Sequence, residues 1–187
     1  MRISGGNARG IELRVPKGDA TRPATDGMRQ SLFSSLGARV VGSHFLDLFA
    51  GSGGYGLEAL SRGAKSGVFV EKSPKAIKCL EQNIEAVCKS LKRSPEEVEI
   101  FESDALSVPV GDTLPDLVFI DPPYDLITEV APKLFQRLSE TLTDPDALIL
   151  FEMPGEIDLQ PPGWKLVKRL GKGAHQPTVA CFRRGLF

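Results

Sequence analysis

The sequence is poor in the residues that build metal centres and disulfide frameworks. Its three cysteines, Cys79, Cys88 and Cys181, have no C-x-x-C spacing, and only His44 and His175 could join them. A zinc site is therefore not expected, and neither is a disulfide scaffold. Cys79 and Cys88 fall in a helical pattern as small core residues. No run approaches the ~18 apolar residues of a membrane span, and MRISGGNARG has no apolar secretion core. A reducing cytoplasm is the expected compartment. Internal repeats and low-complexity tracts are also absent.

The 187 residues are 41% hydrophobic, enough for one substantial core. The net charge of −1 conceals an uneven distribution. Residues 1–39 carry seven basic and three acidic side chains, a net of +4. Residues 40–150 carry ten and eighteen, a net of −8, and residues 151–187 six and three, a net of +3. Basic ends beside an acidic middle suit a polyanion held at the edge of an acidic site, and equally suit solvated surface charge.

The chain is organised around FLDLFAGSGGYG, residues 45–56. Phe45, Leu46, Leu48 and Phe49 read as a buried strand carrying one carboxylate, Asp47. The glycines Gly51, Gly53, Gly54 and Gly56 and a helix start follow. Strand, glycine turn and helix open a βαβ nucleotide site. Two ligand classes fit. The literal G-x-G-x-x-G with Glu71 downstream suits a dinucleotide. The carboxylate of Asp47 suits S-adenosylmethionine, which has no phosphate and carries an ammonium and a cationic sulfur. Plain strand–helix packing would also use such glycines.

Further along, Asp116–Ile120 (DLVFI) reads as another strand and runs into Asp121-Pro122-Pro123-Tyr124. Two prolines end the strand in a rigid turn. That turn falls where open α/β sheets bind ligands, and it presents a carboxylate beside an aromatic ring.

D-P-P-Y together with L-D-L-F-A-G-S-G resembles the class I S-adenosylmethionine-dependent methyltransferases that act on exocyclic amino nitrogens. The finer resemblance is to bacterial methyltransferases that modify a guanine N2 in 16S ribosomal RNA, the RsmD type. It spans nearly the whole chain, from R-I-S-G-G-N-A-R-G-I-E-L and T-R-P-A-T-D-G-M-R-Q-S-L-F onward. Ala24, Gly27 and Gln30 depart from the usual leader. The resemblance implies an α/β Rossmann-like sheet, mostly parallel with an antiparallel C-terminal strand and helices on both faces. It implies catalysis by Asp121, Pro122 and Tyr124. It also implies a cofactor site of Asp47, Phe49, Ala50, Gly51, Gly53, Glu71, Lys72, Asp104, Ala105 and Thr25. The implied cofactor is S-adenosyl-L-methionine. The implied partner is 16S rRNA within a 30S subunit or assembly intermediate, bound by a monomer without metal or membrane. DNA adenine-N6 and protein glutamine methyltransferases share the turn and stay open, as do an NAD-dependent oxidoreductase and a non-catalytic RNA-binding module.

Residues 1–24 are expected to be a β-hairpin and loop extension on a catalytic core of residues 25–187, in one domain. Arg2, Arg9, Arg14, Lys17, Arg22 and Arg29 are the candidate RNA contacts, because basic side chains along a ribbon neutralise phosphates without reading sequence. Arg22 and Thr25 could instead meet the cofactor's carboxylate, and Thr25 could be a helix cap. The core pattern predicts a helix containing Met28, Leu32, Phe33 and Leu36, then a second strand over Gly67–Glu71. Ser73-Pro74 opens a helix with the stripe Ile77, Leu80, Ile84, Val87, Cys88 and Leu91. Strands are predicted at Val98–Phe101 and Ala147–Phe151, with a closing antiparallel pair at Trp164–Leu170 and Thr178–Phe182. A helix beginning at Ile127 or Pro132 precedes the fifth strand. Residues 153–163 read as a loop.

Overall fold

The computed structural model describes residues 1–16, 26–107, 114–171, 173 and 175–185. Seven strands form one sheet: β1 His44–Leu48, β2 Ser66–Glu71, β3 Val98–Glu102, β4 Leu117–Ile120, β5 Leu148–Pro154, β6 Trp164–Leu170 and β7 Pro177–Arg184. Their spatial order is β3-β2-β1-β4-β5-β7-β6. β1 to β5 are parallel, and β7 runs antiparallel to both β5 and β6. The four α-helices among the described residues are α1 Asp26–Leu36, α2 Gly54–Ser61, α3 Pro74–Leu91 and α4 Ile127–Thr141. This is the expected Rossmann-like architecture.

The two faces of the sheet follow from the period of two in its strands. Phe45, Leu117, Phe119, Leu148, Leu150, Val179 and Cys181 join the core beneath α1, α2 and α3. Their neighbours Leu46, Val118, Ile120, Ile149, Phe151, Ala180 and Phe182 join the core beneath α4. α3 starts where expected: Ser73 Oγ accepts the Ala76 N–H at 3.4 Å, and Pro74 occupies the first turn. Its stripe buries Ile77, Leu80, Ile84, Val87 and Cys88.

The N-terminal expectation holds in reduced form, and two others become definite. Residues 1–3 and 10–13 pair antiparallel around the Arg2–Glu12 bridge, with the Ile3 N–H on the Ile11 carbonyl, the Leu13 N–H on the Met1 carbonyl and the Gly10 N–H on the Ile3 carbonyl, each at 2.9 Å. The turn between them docks on α2: Asn7 N–H to the Ser61 carbonyl at 2.8 Å, and Ala8 N–H to Ser61 Oγ at 2.9 Å. The fifth strand does not stop at Phe151. Its antiparallel partner keeps pairing as far as Pro154 with Pro177, so Glu152 and Met153 lie within the sheet. Of the two starts left open for the last helix, the structure takes Ile127, with Pro132 inside it. Pro132 removes one backbone hydrogen bond, but it is exposed, and burial of Ile127, Val130, Ala131, Leu134, Phe135 and Leu138 holds the helix around it.

The strand-to-helix unit depends on Gly56. A Cβ there would come within 2.3 Å of the Phe69 ring and 2.6 Å of the Phe45 ring. Those rings pack edge-on, 5.2 Å apart. The helix can therefore lie against β1 and β2 only where the side chain is absent. Gly56→Ala should lower unfolding stability by about 1–3 kcal/mol through overpacking. Urea denaturation checks this, and an unchanged midpoint would mean that the rings yield.

Candidate functional site

The strand order reverses between the parallel neighbours β1 and β4, so the loops leaving their carboxyl ends diverge and leave a crevice. The glycine loop leaves β1 and the D-P-P-Y turn leaves β4. The Asp121 N–H reaches toward the Leu48 carbonyl at 3.5 Å and ties the two together. Glu71 ends β2, and Asp104 follows β3. The topology thus brings Asp47, Gly51, Gly53, Glu71, Asp104 and Asp121 to one edge.

The glycine loop is held by carboxylates. Asp47 is 1% exposed, and its Oδ2 accepts the Gly56 N–H at 2.9 Å. Burial pushes its carboxyl up to about 7; the Gly56 hydrogen bond opposes this rise, and the nearby Glu71 charge reinforces it. Glu71 Oε2 accepts the Gly51 N–H at 2.8 Å. Its Oε1 accepts the N–H groups of Lys72 at 2.9 Å and Ser73 at 2.8 Å. Glu71 therefore closes the loop as well as ending β2, and a carboxylate retains further acceptor sites beyond these three bonds. Gly51 has φ +54° and open space where a Cβ would point. At Gly53 a Cβ would instead strike Leu80 at 2.5 Å, so that glycine serves packing. Phe49 is half-buried with φ 61°, and Ala50 is buried, its N–H on the Val70 carbonyl at 3.0 Å.

Other predicted residues carry structural contacts. Asp104 Oδ1 accepts the Leu106 N–H at 2.9 Å, forming a turn, while Lys72 Nζ lies 3.6 Å from Oδ2. The Ala105 methyl is buried in the α4-side core, so only its backbone could face a ligand. Thr25, Lys17 and Arg22 lie outside the described residues. Arg2, Arg9 and Arg14 are exposed. Arg2 pairs with Asp26 at 3.8 Å, and Arg14 Nη1 donates to Gln82 Oε1 at 2.9 Å. Arg29 is not an RNA contact. It is fully buried and donates to the Arg2 carbonyl at 2.7 Å. It also pairs with Asp26, and lies 3.9 Å from buried Glu58. Arg29 shares the buried face of α1 with Leu32, Phe33 and Leu36, and burial of that face carries it inward toward Glu58.

Around Asp121 the sheet alternation assembles an acidic row. Asp47, Asp121 and Glu152 continue the positions of β1, β4 and β5 that face α1 and α2. Glu152 is 2% exposed. The Asp121 carboxyl is pushed well above the usual carboxylate range by burial, then by the charges of Glu152 and Asp47, against the pull of Arg29. The Glu152 carboxyl is also raised by burial, opposed by hydrogen bonds from Tyr55 and Tyr124 and by Arg29. Tyr124 keeps 40% of its surface exposed at the crevice.

Sequence reasoning missed Glu152, Tyr55, Glu58 and Asn83. Asn83 Nδ2 donates to both the Ser52 and Arg14 carbonyls at 2.9 Å, which pins the glycine loop and the N-terminal segment to α3. A polar residue inside an apolar stripe was the available signal for Asn83 and Glu152. Among the described residues, no group of His, Cys, Asp and Glu is placed to hold a metal, and no helix is long and apolar enough to cross a membrane.

Comparison with known proteins places this chain. The family model described as Conserved hypothetical protein 95 matches residues 1–180. Ribosomal RNA small subunit methyltransferase D of Haemophilus influenzae is 34% identical over 178 residues, covering 92% of this chain and 89% of that protein. The structure of the yhhF protein of Escherichia coli superposes with a TM-score of 0.81 at 30% identity, covering 100% and 99% of the two chains. An RNA methyltransferase of Salinibacter ruber, solved with S-adenosyl-L-homocysteine, shares the fold at TM-score 0.64 and 17% identity, covering 87% and 94%. The chain belongs to the Conserved hypothetical protein 95 family, the RsmD-type methyltransferases.

The Asp47 carboxyl has a testable signature. Its ordinary value is 3.8, and in the fold it is about 7. Between those pH values the folded chain holds a proton that the unfolded chain has lost. This contribution is therefore fully present below about pH 4 and disappears as pH rises toward 7, at most about 1.4 kcal/mol per pH unit. Asp47→Asn removes it. Urea unfolding at pH 5 and pH 7.5 should show the variant gaining on the wild type as pH rises. A pH-independent difference would contradict the raised value.

Proposed function

We propose that this member of the RsmD-type family transfers a methyl group from S-adenosylmethionine to the exocyclic N2 of a guanine in 16S ribosomal RNA. The observation that carries the proposal is the pairing of the glycine loop with Asp121-Pro122-Pro123-Tyr124 across the β1–β4 crevice. The relatives named for ribosomal RNA small-subunit methylation support the substrate class.

The residues present suit this cofactor. Asp47, Glu71, Asp104 and Asp121 gather at the crevice; a bound ammonium and sulfonium would relieve the crowding that raises Asp47 and Asp121, whereas a pyrophosphate would worsen it. This argues against the dinucleotide reading. Gly51, turned into open space beside Glu71, leaves room for a ligand against the backbone. Glu71 would hold ribose hydroxyls through its remaining acceptor sites, and Asp104 with the Ala105 backbone would meet the adenine. When bound, the cofactor supplies an electrophilic methyl on sulfur, so no acid catalyst is required.

The task left to the protein is positioning. A guanine amino lone pair is delocalised into the ring. Hydrogen bonds from its N–H groups to the Asp121 carboxyl and the Pro122 carbonyl would rehybridise the nitrogen and aim the lone pair. The exposed Tyr124 ring would stack on a base swung out of the RNA. The proton leaves after transfer, and a carboxyl with a raised pKa, as at Asp121, is suited to receive it. Exposed Arg2, Arg9 and Arg14 would contact phosphates.

Two variants separate the roles. Asp121→Ala should reduce methyl transfer by at least about a hundredfold, the lower range for a positioned acid–base group, while cofactor affinity measured by calorimetry stays close to wild type. Glu71→Ala should mainly weaken cofactor binding. Near-wild-type turnover in the first variant, or unchanged affinity in the second, would remove that residue from its role.

A further inference from the structure

One buried side chain on α3 holds both the glycine loop and the N-terminal segment. Asn83 is 1% exposed and shares the apolar stripe of α3 with Leu80, Ile84 and Val87. Its Nδ2 donates to the Ser52 carbonyl and to the Arg14 carbonyl, both at 2.9 Å. Its Oδ1 accepts the Arg14 N–H at 2.8 Å. Turning the amide over would set its NH2 group against the Arg14 N–H, so these partners fix its orientation. Ser52 lies between Gly51 and Gly53 and is itself buried. Glu71 and Asp47 hold the N–H groups of Gly51 and Gly56, whereas Asn83 holds a carbonyl of the same loop from the α3 side.

We propose that Asn83 is a positioning residue that sets the cofactor loop and the basic N-terminal segment in one frame, so that cofactor bound on the loop and RNA phosphate bound by Arg14 support each other's binding. The functional part of this inference rests on the methyltransferase reading; the hydrogen-bonded link itself does not. A buried amide inside an apolar stripe is costly unless its groups are paired. Packing of α3 alone would be served by an apolar side chain there. What the amide adds is a joint between two segments that lie 31 and 69 residues from it in the chain.

Arg14 stands where the N-terminal segment passes from the core to the surface. Leu13 is buried, with its N–H on the Met1 carbonyl at 2.9 Å, while Val15 is exposed. The Arg14 backbone is therefore fixed and its side chain is exposed. Its Nη1 donates to Gln82 Oε1 at 2.9 Å. A guanidinium carries several further N–H donors, so this bond leaves it able to take a phosphate. A cation on a fixed backbone loses less freedom on meeting a phosphate than one on a free chain. A ligand that orders Ser52 also orders Arg14 through Asn83, and by linkage the reverse holds with the same factor.

The first test uses the unaltered protein and follows backbone hydrogen exchange with and without saturating S-adenosylhomocysteine. Exchange of the Arg14 N–H should slow at least about fivefold, the lower range for coupled sites. It should slow more than that of the amides of β6, at the edge of the sheet. Arg14 exchange that is unmoved, or moved no more than that of β6, would overturn the link. The second test reads the salt dependence of RNA affinity. Loss of one phosphate contact lowers the slope of log affinity against log salt by about 0.7–0.9. Arg14→Ala should lower it by that amount. Asn83→Leu, which keeps the size and none of the hydrogen bonds, should lower it as much with the arginine still in place. In that background Arg14→Ala should lower it no further, since the two residues act as one unit. General support of the fold would weaken binding and leave the slope unchanged. A wild-type slope in either single variant would therefore overturn the positioning role, and if Asn83→Leu does not fold, the exchange test decides. Slowed Arg14 exchange in a protein that transfers no methyl to RNA would uphold the link and overturn the methyltransferase reading. Unmoved exchange in an active enzyme would do the reverse, and a protein that does not bind S-adenosylhomocysteine would overturn both.

Discussion

Three carboxylates side by side on one face of the sheet are the constraint around which the structure is arranged. Asp47, Asp121 and Glu152 follow from strand alternation at the carboxyl ends of β1, β4 and β5, and they crowd one another in low dielectric. Burying such a row is unfavourable unless each oxygen finds a donor or a counter-charge. The Gly56 N–H serves Asp47, the Tyr55 hydroxyl serves Glu152, and Arg29 lowers the pKa values of both Asp121 and Glu152. Leu32, Phe33 and Leu36 bury α1 in the core, and the same face brings Arg29 to the acidic row. Arg29 in turn holds Asp26, the Arg2 carbonyl and Glu58, which binds Ser4 and Arg62. The N-terminal segment is thereby wired to the acidic row.

The same electrostatics connect fold to chemistry. A crevice lined with carboxylates repels a dinucleotide's phosphates and attracts a cationic cofactor. In the proposed reaction, the Asp121 carboxyl, with its raised pKa, would take the proton that the amino group loses after transfer. The glycine loop is held by acidic side chains as well as by packing: Glu71 takes the Gly51 N–H and Asp47 the Gly56 N–H. Changes in charge at the crevice therefore bear on the shape of the loop.

What was legible in the sequence was local. Short apolar runs marked the strands, helical spacing marked α1 and α3, and Ser73-Pro74 marked a helix start, because each reflects interactions within a few residues. Gly56 was legible as part of a motif, while its physical reason, the meeting of two phenylalanine rings, required the fold. Arg29 read as a basic surface residue because Glu58, Asp121 and Glu152, the buried carboxylates near it, lie far along the chain; only Asp26 was close in sequence. Glu152 fell outside the predicted strand because β5 is prolonged by pairing with β7, a partner more than twenty residues away. The expected hairpin is present only as a short antiparallel pairing, and its turn residues Asn7 and Ala8 bond to α2, which local sequence could not show.

The most direct measurement is transfer of labelled methyl from S-adenosylmethionine to 30S particles lacking the modification, with duplex DNA and a peptide-release factor as parallel acceptors. The expected result is label in the 16S RNA alone, released as N2-methylguanosine on nucleoside analysis. Label in DNA or protein, or at another position of the base, would contradict the assigned substrate; tight cofactor binding with no transfer to any of the three would contradict the assigned catalysis.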